Sequence, residues 1–204
     1  MQASESVINI CYNSSLLKYG GDIAVGAMTI LSSVMQFAML PLQGLGQGAQ
    51  PIVSYNYGAG NKERVKKAFF CLLRVSMVYA GLIWALVQLF PSMFAAMFTS
   101  DDALRAFAVP ALRVYMGAAV LFGIQMACQI TFTALGEATA SSIVAITRKF
   151  ILLIPFMYIF PYIFTENQTM AVFMAEPAAD VLAVAFTSVL FFFRFRRTLR
   201  RMPS

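Results

Sequence analysis

The chain has 204 residues, of which 60% are hydrophobic and 12% are charged, and its mean hydropathy is +0.73. Soluble domains carry about 25% charged residues, so this composition indicates an integral membrane protein with long apolar helices rather than barrel strands. The net charge of +6 does not indicate a nucleic-acid partner, because the basic residues are concentrated in one loop and in the tail, residues 194–204.

Six apolar segments are predicted to cross the membrane, which makes the fold class all-α and polytopic. The first segment ends at the pair Gly20–Gly21, and Pro91 follows the third. The predicted spans are residues 1–19, 23–57, 68–90, 104–135, 141–164 and 170–193.

The first predicted span carries Glu5, Asn9 and Asn13 at intervals of four, which places them on one helix face. Carboxyl groups inside a membrane are costly and usually mark the path of an ion or a substrate. From Glu5 to Tyr19 the helix measures about 21 Å, which is short of a hydrocarbon core of about 30 Å. We therefore expect this helix to need residues upstream, and the chain to be part of a longer protein.

The second predicted span carries a stripe of four glutamines on one face, at Gln36, Gln43, Gln47 and Gln50. A polar stripe is unfavourable against lipid, so it should face a partner helix or a watery cavity. The alternative is that the amides hold neighbouring helices together by hydrogen bonds.

The same span contains prolines and glycines that a soluble core helix would not tolerate, whereas neighbouring membrane helices can satisfy the freed backbone groups. We expect kinks at Pro41 and Pro51. Gly44, Gly46 and Gly48 are expected to let the helix bend between the two prolines.

Charge predicts the orientation of the helices. The loop after the second span is basic, as is the C-terminal tail, and with six spans both fall on the same side. The positive-inside rule makes that side cytoplasmic. Arg148 is expected near the cytoplasmic face, which its long side chain would reach. The opposite loops contain Asp22, Asp101, Asp102 and Glu166.

Two later spans also carry polar stripes. Gln125 and Gln129 lie one turn apart in the fourth span, and Glu176 and Asp180 lie one turn apart in the sixth. Asp180 lies about 16 Å from the outer end of its helix, close to the middle of the membrane. We expect the acids to line an ion or substrate path; pairing of Asp180 with an arginine is the alternative.

Several motifs are missing. The sequence has no histidine, no GxxxxGK[ST] phosphate loop, no HExxH and no paired CxxC. Cys11, Cys71 and Cys128 lie in apolar segments without metal-binding spacing. We therefore expect no enzymatic activity, no catalytic residues, no metal centre and no cofactor apart from a coupling ion.

Five stretches resemble the second half of a transporter of the MATE (multidrug and toxic compound extrusion) family, in a bacterial branch. The resemblance covers nearly the whole chain in order, and GxGQGxQPxxSYNYGA is its most specific part. The stretches are YGGDIAVGAMTI (19–30), PLQGLGQGAQPIVSYNYGAGNKERVKKA (41–68), FGIQMACQITFTALGEA (122–138), RKFILLIPFMYIFP (148–161) and AEPAADVLAV (175–184).

The resemblance implies a twelve-helix transporter of two six-helix lobes, related by a pseudo-twofold axis along the membrane normal. Residues 1–204 would form the C-terminal lobe, helices 7–12, with helix 7 shortened at its start. It implies export of small organic, mostly cationic, compounds across the cell membrane in exchange for Na⁺ or H⁺. The implied partners are the lipid bilayer and the N-terminal lobe.

The resemblance also bears on the coupling residues. Some family members place a coupling acid on helix 7, where Glu5 occupies a matching position, and some use a helix 10 carboxylate, where this chain has Gln125 and Gln129. The residues expected to line the ion and substrate cavity are Glu5, Asn9, Asn13, Gln36, Gln43, Gln47, Gln125, Gln129 and Asp180.

Two other functions fit the sequence. A flippase of the same superfamily, which moves lipid-linked oligosaccharides, would be expected to show a cationic cavity. A membrane scaffold that does not transport would have its polar stripes filled by bonds between helices.

Overall fold

The computed structural model describes residues 2–201, with side chains for residues 6–201, and every regular element in that range is a helix. The α-helices are α1 (Gln2–Gly58), α2 (Lys62–Leu89), α3 (Pro91–Ala96), α4 (Asp102–Tyr115), α5 (Phe122–Ala134), α6 (Ala138–Ile146), α7 (Ile154–Ile163) and α8 (Gln168–Arg201). Short 3₁₀ turns occupy Ala119–Leu121 and Thr165–Asn167, and a π-helical segment, Thr147–Leu153, joins α6 to α7.

A break at Gly21 divides α1, as the GGD sequence predicts. Gly21 has φ 64° and ψ −164°, a conformation that favours glycine. Gly20 is needed for a different reason, because a Cβ there would lie 2.6 Å from Cγ2 of Thr169 in α8. The carbonyl freed at Tyr19 accepts a hydrogen bond from the Thr169 hydroxyl at 2.9 Å.

Beyond Gly21, α1 remains helical through Pro41 and Pro51. The glycines between these prolines serve different purposes. A Cβ on Gly46 would lie 2.8 Å from Cγ1 of Ile130, so this glycine allows α5 to approach α1 closely. Gly44 has open space around it instead, as does Gly48.

The predicted fourth span, residues 104–135, is not one straight helix. The helices on either side of the break after Tyr115 are bent by 47°. The carbonyls exposed by the break are satisfied from α2, because Trp84 Nε1 donates to Gly117 O at 3.0 Å and Gln88 Nε2 donates to Arg113 O at 2.9 Å. Satisfied carbonyls are what allow a membrane helix to break in apolar surroundings.

Length and composition identify four helices within residues 6–201 that are able to cross a membrane, and five if the bent pair is one span. This count treats Ser6–Gly58 as one helix. The core lies where the first part of α1, α4 and α8 pack together around Tyr12, Leu112 and Phe173. A second core stacks Phe69 of α2 on Phe191 of α8, with ring centroids 4.5 Å apart.

Candidate functional site

A buried ion-pair network joins the π-helical segment to α8. Arg148 Nε lies 2.6 Å from Oδ1 of Asp180, and its Nη2 lies 2.9 Å from Oε1 of Glu176. The relative exposure of the side chain is 18% for Arg148, 6% for Glu176 and 2% for Asp180. Two buried carboxylates therefore share one guanidinium inside the helical bundle.

The first part of α1 completes this network. The Tyr12 hydroxyl, which is buried, donates to Oε2 of Glu176 at 2.9 Å. The Arg148 guanidinium also lies over the ring of Phe122, with Cζ 5.3 Å from the centroid, in a cation–π contact. We call Tyr12, Arg148, Glu176 and Asp180 the Arg148 network.

Local structure explains how these groups meet. Glu176 and Asp180 are four residues apart in α8 and therefore project from one face. The buried residues beside them, Ala175 and Ala179, are small enough to let neighbouring helices approach. Arg148 lies in a π-helical turn, a departure from regular helix that is frequent at functional sites.

The network holds its charges by mutual pairing. Hydrogen bonds from Tyr12 and Arg148 stabilise the negative charge on Glu176. A buried charge that loses its partner is strongly unfavourable, so a carboxylate released by Arg148 would need a proton or another cation in its place. The structure therefore shows a buried set of charges that are satisfied by one another.

Five of the six predicted cavity residues of α1 have described side chains, and these five lie on the outside of this lobe. Asn9 and Asn13 are exposed before the Gly21 break. Gln36, Gln43 and Gln47, which we call the glutamine face, are exposed after it. The lobe itself does not bury these amides between its helices.

The two glutamines of α5 are in different surroundings. Gln125 is buried, and its Oε1 has no hydrogen-bond partner among the described residues. Gln129 is half-buried and lines a cavity of about 240 Å³ together with Ser141, Ser142 and Lys149. The stripe predicted from their spacing therefore divides between the core and a cavity that is lined by both polar and apolar side chains.

Glu5 is a predicted site residue whose side chain lies outside the described part of the chain. Its backbone belongs to α1. Its position on one face with Asn9 and Asn13 remains an inference from their spacing.

Sequence reasoning missed two members of the network, Tyr12 and Arg148. Arg148 was expected to reach the cytoplasmic face, but its side chain instead lies between α8 and Phe122. The structure has the alternative arrangement that the sequence allowed, in which Asp180 pairs with an arginine. An arginine inside an apolar segment could have indicated a buried ion pair, but the residues around Arg148 in the sequence do not identify its partners in α8.

Known proteins match this lobe. A family model described as MatE matches residues 1–159. The multidrug export protein MepA of Staphylococcus aureus (strain NCTC 8325 / PS 47) is 26% identical over 184 residues, which are 90% of this chain and 40% of MepA. The inward-facing conformation of a multidrug resistance MATE family transporter of the MOP superfamily has a TM-score of 0.91 at 21% identity, covering 99% of this chain and 46% of that one.

A structure of the MATE multidrug transporter DinF-BH, determined as a complex, is also similar. It has a TM-score of 0.81 at 34% identity, covering 97% of this chain and 44% of that chain. In these matches the chain spans less than half the length of its relatives.

Proposed function

The chain belongs to the MatE family, and from this premise we propose that it is the C-terminal lobe of a multidrug exporter driven by Na⁺ or H⁺. The match of the family model to residues 1–159 is the observation that carries the proposal. The name of MepA supports multidrug export, and the matched share of its length, 40%, supports a second lobe outside this chain.

Six membrane spans fit the geometry if α1 is divided at Gly21. The helix of 57 residues would measure about 85 Å unbroken, far more than a hydrocarbon core of about 30 Å. The two parts of α1 would be separate spans, followed by α2, the bent pair α4–α5, the pair α6–α7, and α8.

In this arrangement the glutamine face lines the cavity between two lobes. Three exposed amides would be costly against lipid, whereas a watery cavity or a second lobe satisfies them. Binding sites at the interface between repeats are common in transporters whose lobes rock against each other.

The orientation places the loop around Asn61 and the C-terminal tail in the cytoplasm, by the positive-inside rule. The test is cysteine labelling with an impermeant reagent, in a background in which Cys11, Cys71 and Cys128 are replaced by serine. In sealed cells we expect Asp101→Cys to react and Asn61→Cys to stay unreacted; reaction at position 61 would contradict the orientation.

The Arg148 network is proposed to couple ion and drug movement, alongside Glu5. A coupling ion would compete with the Arg148 guanidinium for the carboxylates of Glu176 and Asp180. Because Tyr12 ties α1 to α8 through Glu176, a change in ion occupancy would alter the contact between these two helices.

Transport driven by an imposed gradient tests this coupling in the full-length transporter, with this chain joined to its N-terminal lobe. The probe is ethidium, a fluorescent organic cation. We expect Arg148→Met with Glu176→Gln and Asp180→Asn, which removes the three buried charges together, to lower ethidium efflux driven by Na⁺ or H⁺ about tenfold or more, while ethidium binding without a gradient persists. The control is Asp102→Asn, which removes an exposed acid of α4. Normal coupled efflux by the triple variant would exclude a coupling role.

Lys149 favours a second candidate, the flippase, because it contributes a cationic side chain to the cavity beside Gln129. A lipid-linked anionic substrate would then be expected to compete with ethidium in the full-length protein. Lys149→Gln should weaken that competition and leave ethidium efflux intact. Absence of competition by anionic substrates would leave multidrug export as the function.

A further inference from the structure

The C-terminal end of α8 carries four arginines that point away from the helical bundle. Arg196, Arg197, Arg200 and Arg201 are exposed, whereas Phe195, Thr198 and Leu199 on the opposite side are buried. We call these four arginines the arginine cluster. With Phe193 they line an open cavity of about 380 Å³.

The neighbouring Arg194 differs from the arginine cluster, because it is paired inside the lobe. Its Nη1 lies 3.0 Å from Oε2 of Glu137, and the Thr198 hydroxyl donates to the other oxygen of the same carboxylate. No ion pair joins the arginine cluster to an acid within residues 6–201. Four fixed positive charges are therefore available to an outside anion.

An apolar surface runs along the helix directly below these charges. Phe193 is 68% exposed and Val189 is 59% exposed, and both lie on the same face as Arg196 and Arg200. Phe192, on the flank of this face, is 54% exposed and lies under the Arg196 guanidinium, with Cζ 5.2 Å from the ring centroid. The surface thus changes from apolar to cationic along the helix axis.

The length of α8 places this change near a membrane surface. The helix has 34 residues, or about 51 Å, which exceeds a hydrocarbon core of about 30 Å by some four turns. The exposed phenylalanines then fall near the boundary of the hydrocarbon, with the arginine cluster among the lipid headgroups. Clusters of this size beside a membrane helix attract anionic lipids.

We propose that the arginine cluster binds the phosphate of an anionic phospholipid whose acyl chain lies along Val189 and Phe193. The guanidinium groups form paired hydrogen bonds to phosphate oxygens, and the apolar face holds the chain below them. A free anion would satisfy the arginines but would leave the apolar face without a role. The proposed lipid site does not depend on transport activity, and all of its residues belong to α8 of this chain.

The test uses the purified 204-residue chain in detergent, mixed with equal amounts of phosphatidylglycerol and phosphatidylcholine, with the bound lipids identified by native mass spectrometry. We expect wild type to retain phosphatidylglycerol about tenfold in excess. Replacing all four arginines of the cluster by glutamine should abolish that preference, and Arg197→Gln with Arg201→Gln should reduce it. If the fourfold variant does not fold, the lipid preference of the double variant tests the proposal in its place.

A charge-matched control replaces the four basic residues in the first turns of α2, Lys62, Arg64, Lys66 and Lys67, by glutamine, and should keep the preference. Equal retention of both lipids by wild type, or the same loss in the control variant, would overturn the proposal. Excess inorganic phosphate should not displace the bound lipid; displacement would identify a site for free anions instead.

Discussion

The Arg148 network and the glutamine face are both polar groups on apolar helices, and the structure satisfies them differently. In the network each carboxylate meets the Arg148 guanidinium within 2.9 Å, so its groups are satisfied within this lobe. The glutamine face is exposed on the outside of the lobe. Removing a group from the first region should therefore affect folding, whereas removing one from the second should affect what binds outside the lobe.

We expect the largest effect from Arg148→Met, which tests whether the Arg148 network stabilises the lobe. The variant removes the cation that both buried carboxylates contact, and breaking a buried pair costs about 3–5 kcal/mol. We expect a loss of that size in the free energy of unfolding, measured for the purified chain in mixed detergent–SDS micelles.

The compensated variant Arg148→Met with Glu176→Gln and Asp180→Asn is the matched control. It removes the charges together, so we expect it to recover at least about 1 kcal/mol relative to Arg148→Met alone. If Arg148→Met unfolds like wild type, the network does not stabilise the lobe and the contrast with the glutamine face disappears.

The glutamine face gives the smaller effect on stability. We expect Gln36→Leu, Gln43→Leu and Gln47→Leu together to change the free energy of unfolding of this lobe by less than about 0.5 kcal/mol, because surface substitutions away from buried contacts are usually small. In the full-length transporter the same variant should lower ethidium efflux, because the cavity loses its amides.

Gln88 provides the control for that variant. Its side chain donates to Arg113 O at the break between α4 and α5, so it serves as a bond between helices. Gln88→Leu should cost about 0.5–1.5 kcal/mol by removing this hydrogen bond and should not change ethidium recognition. The reverse pattern, with the triple variant destabilised and Gln88→Leu neutral, would mean that the glutamine face holds the lobe together.

Features that depend on neighbouring residues could be predicted from the sequence, whereas features that depend on a distant helix could not. The end of the first helix was predictable because Gly21 acts locally, through its left-handed φ of 64°. The break after Tyr115 was missed because Trp84 and Gln88, which satisfy its carbonyls, come from another helix. Spacing alone identifies a shared face, and it identifies no partner on a distant helix.

The Arg148 network was missed for the same reason. Glu176 and Asp180 were recognisable as costly acids one turn apart, but Arg148 precedes Asp180 by 32 residues and Tyr12 precedes Glu176 by 164. Only tertiary packing brings these groups together. Arg148 was therefore assigned to the membrane surface, which its long side chain would have allowed.

The smallest expected effect on folding, and the most specific effect on transport, belongs to Glu5→Gln. Spacing places Glu5 on one face with Asn9 and Asn13, which are exposed to the outside of the lobe like the glutamine face. A carboxyl in that position would be able to bind the coupling ion or a cationic drug, and competition between the two for one group is the linkage that an antiporter requires. In the full-length transporter we expect Glu5→Gln to insert and fold normally but to lose ethidium efflux driven by an imposed Na⁺ or H⁺ gradient in proteoliposomes. If Glu5 only packs helices through hydrogen bonds to amides, glutamine replaces it with little loss, and near-normal gradient-driven efflux by this variant would leave the Arg148 network as the coupling site of the lobe.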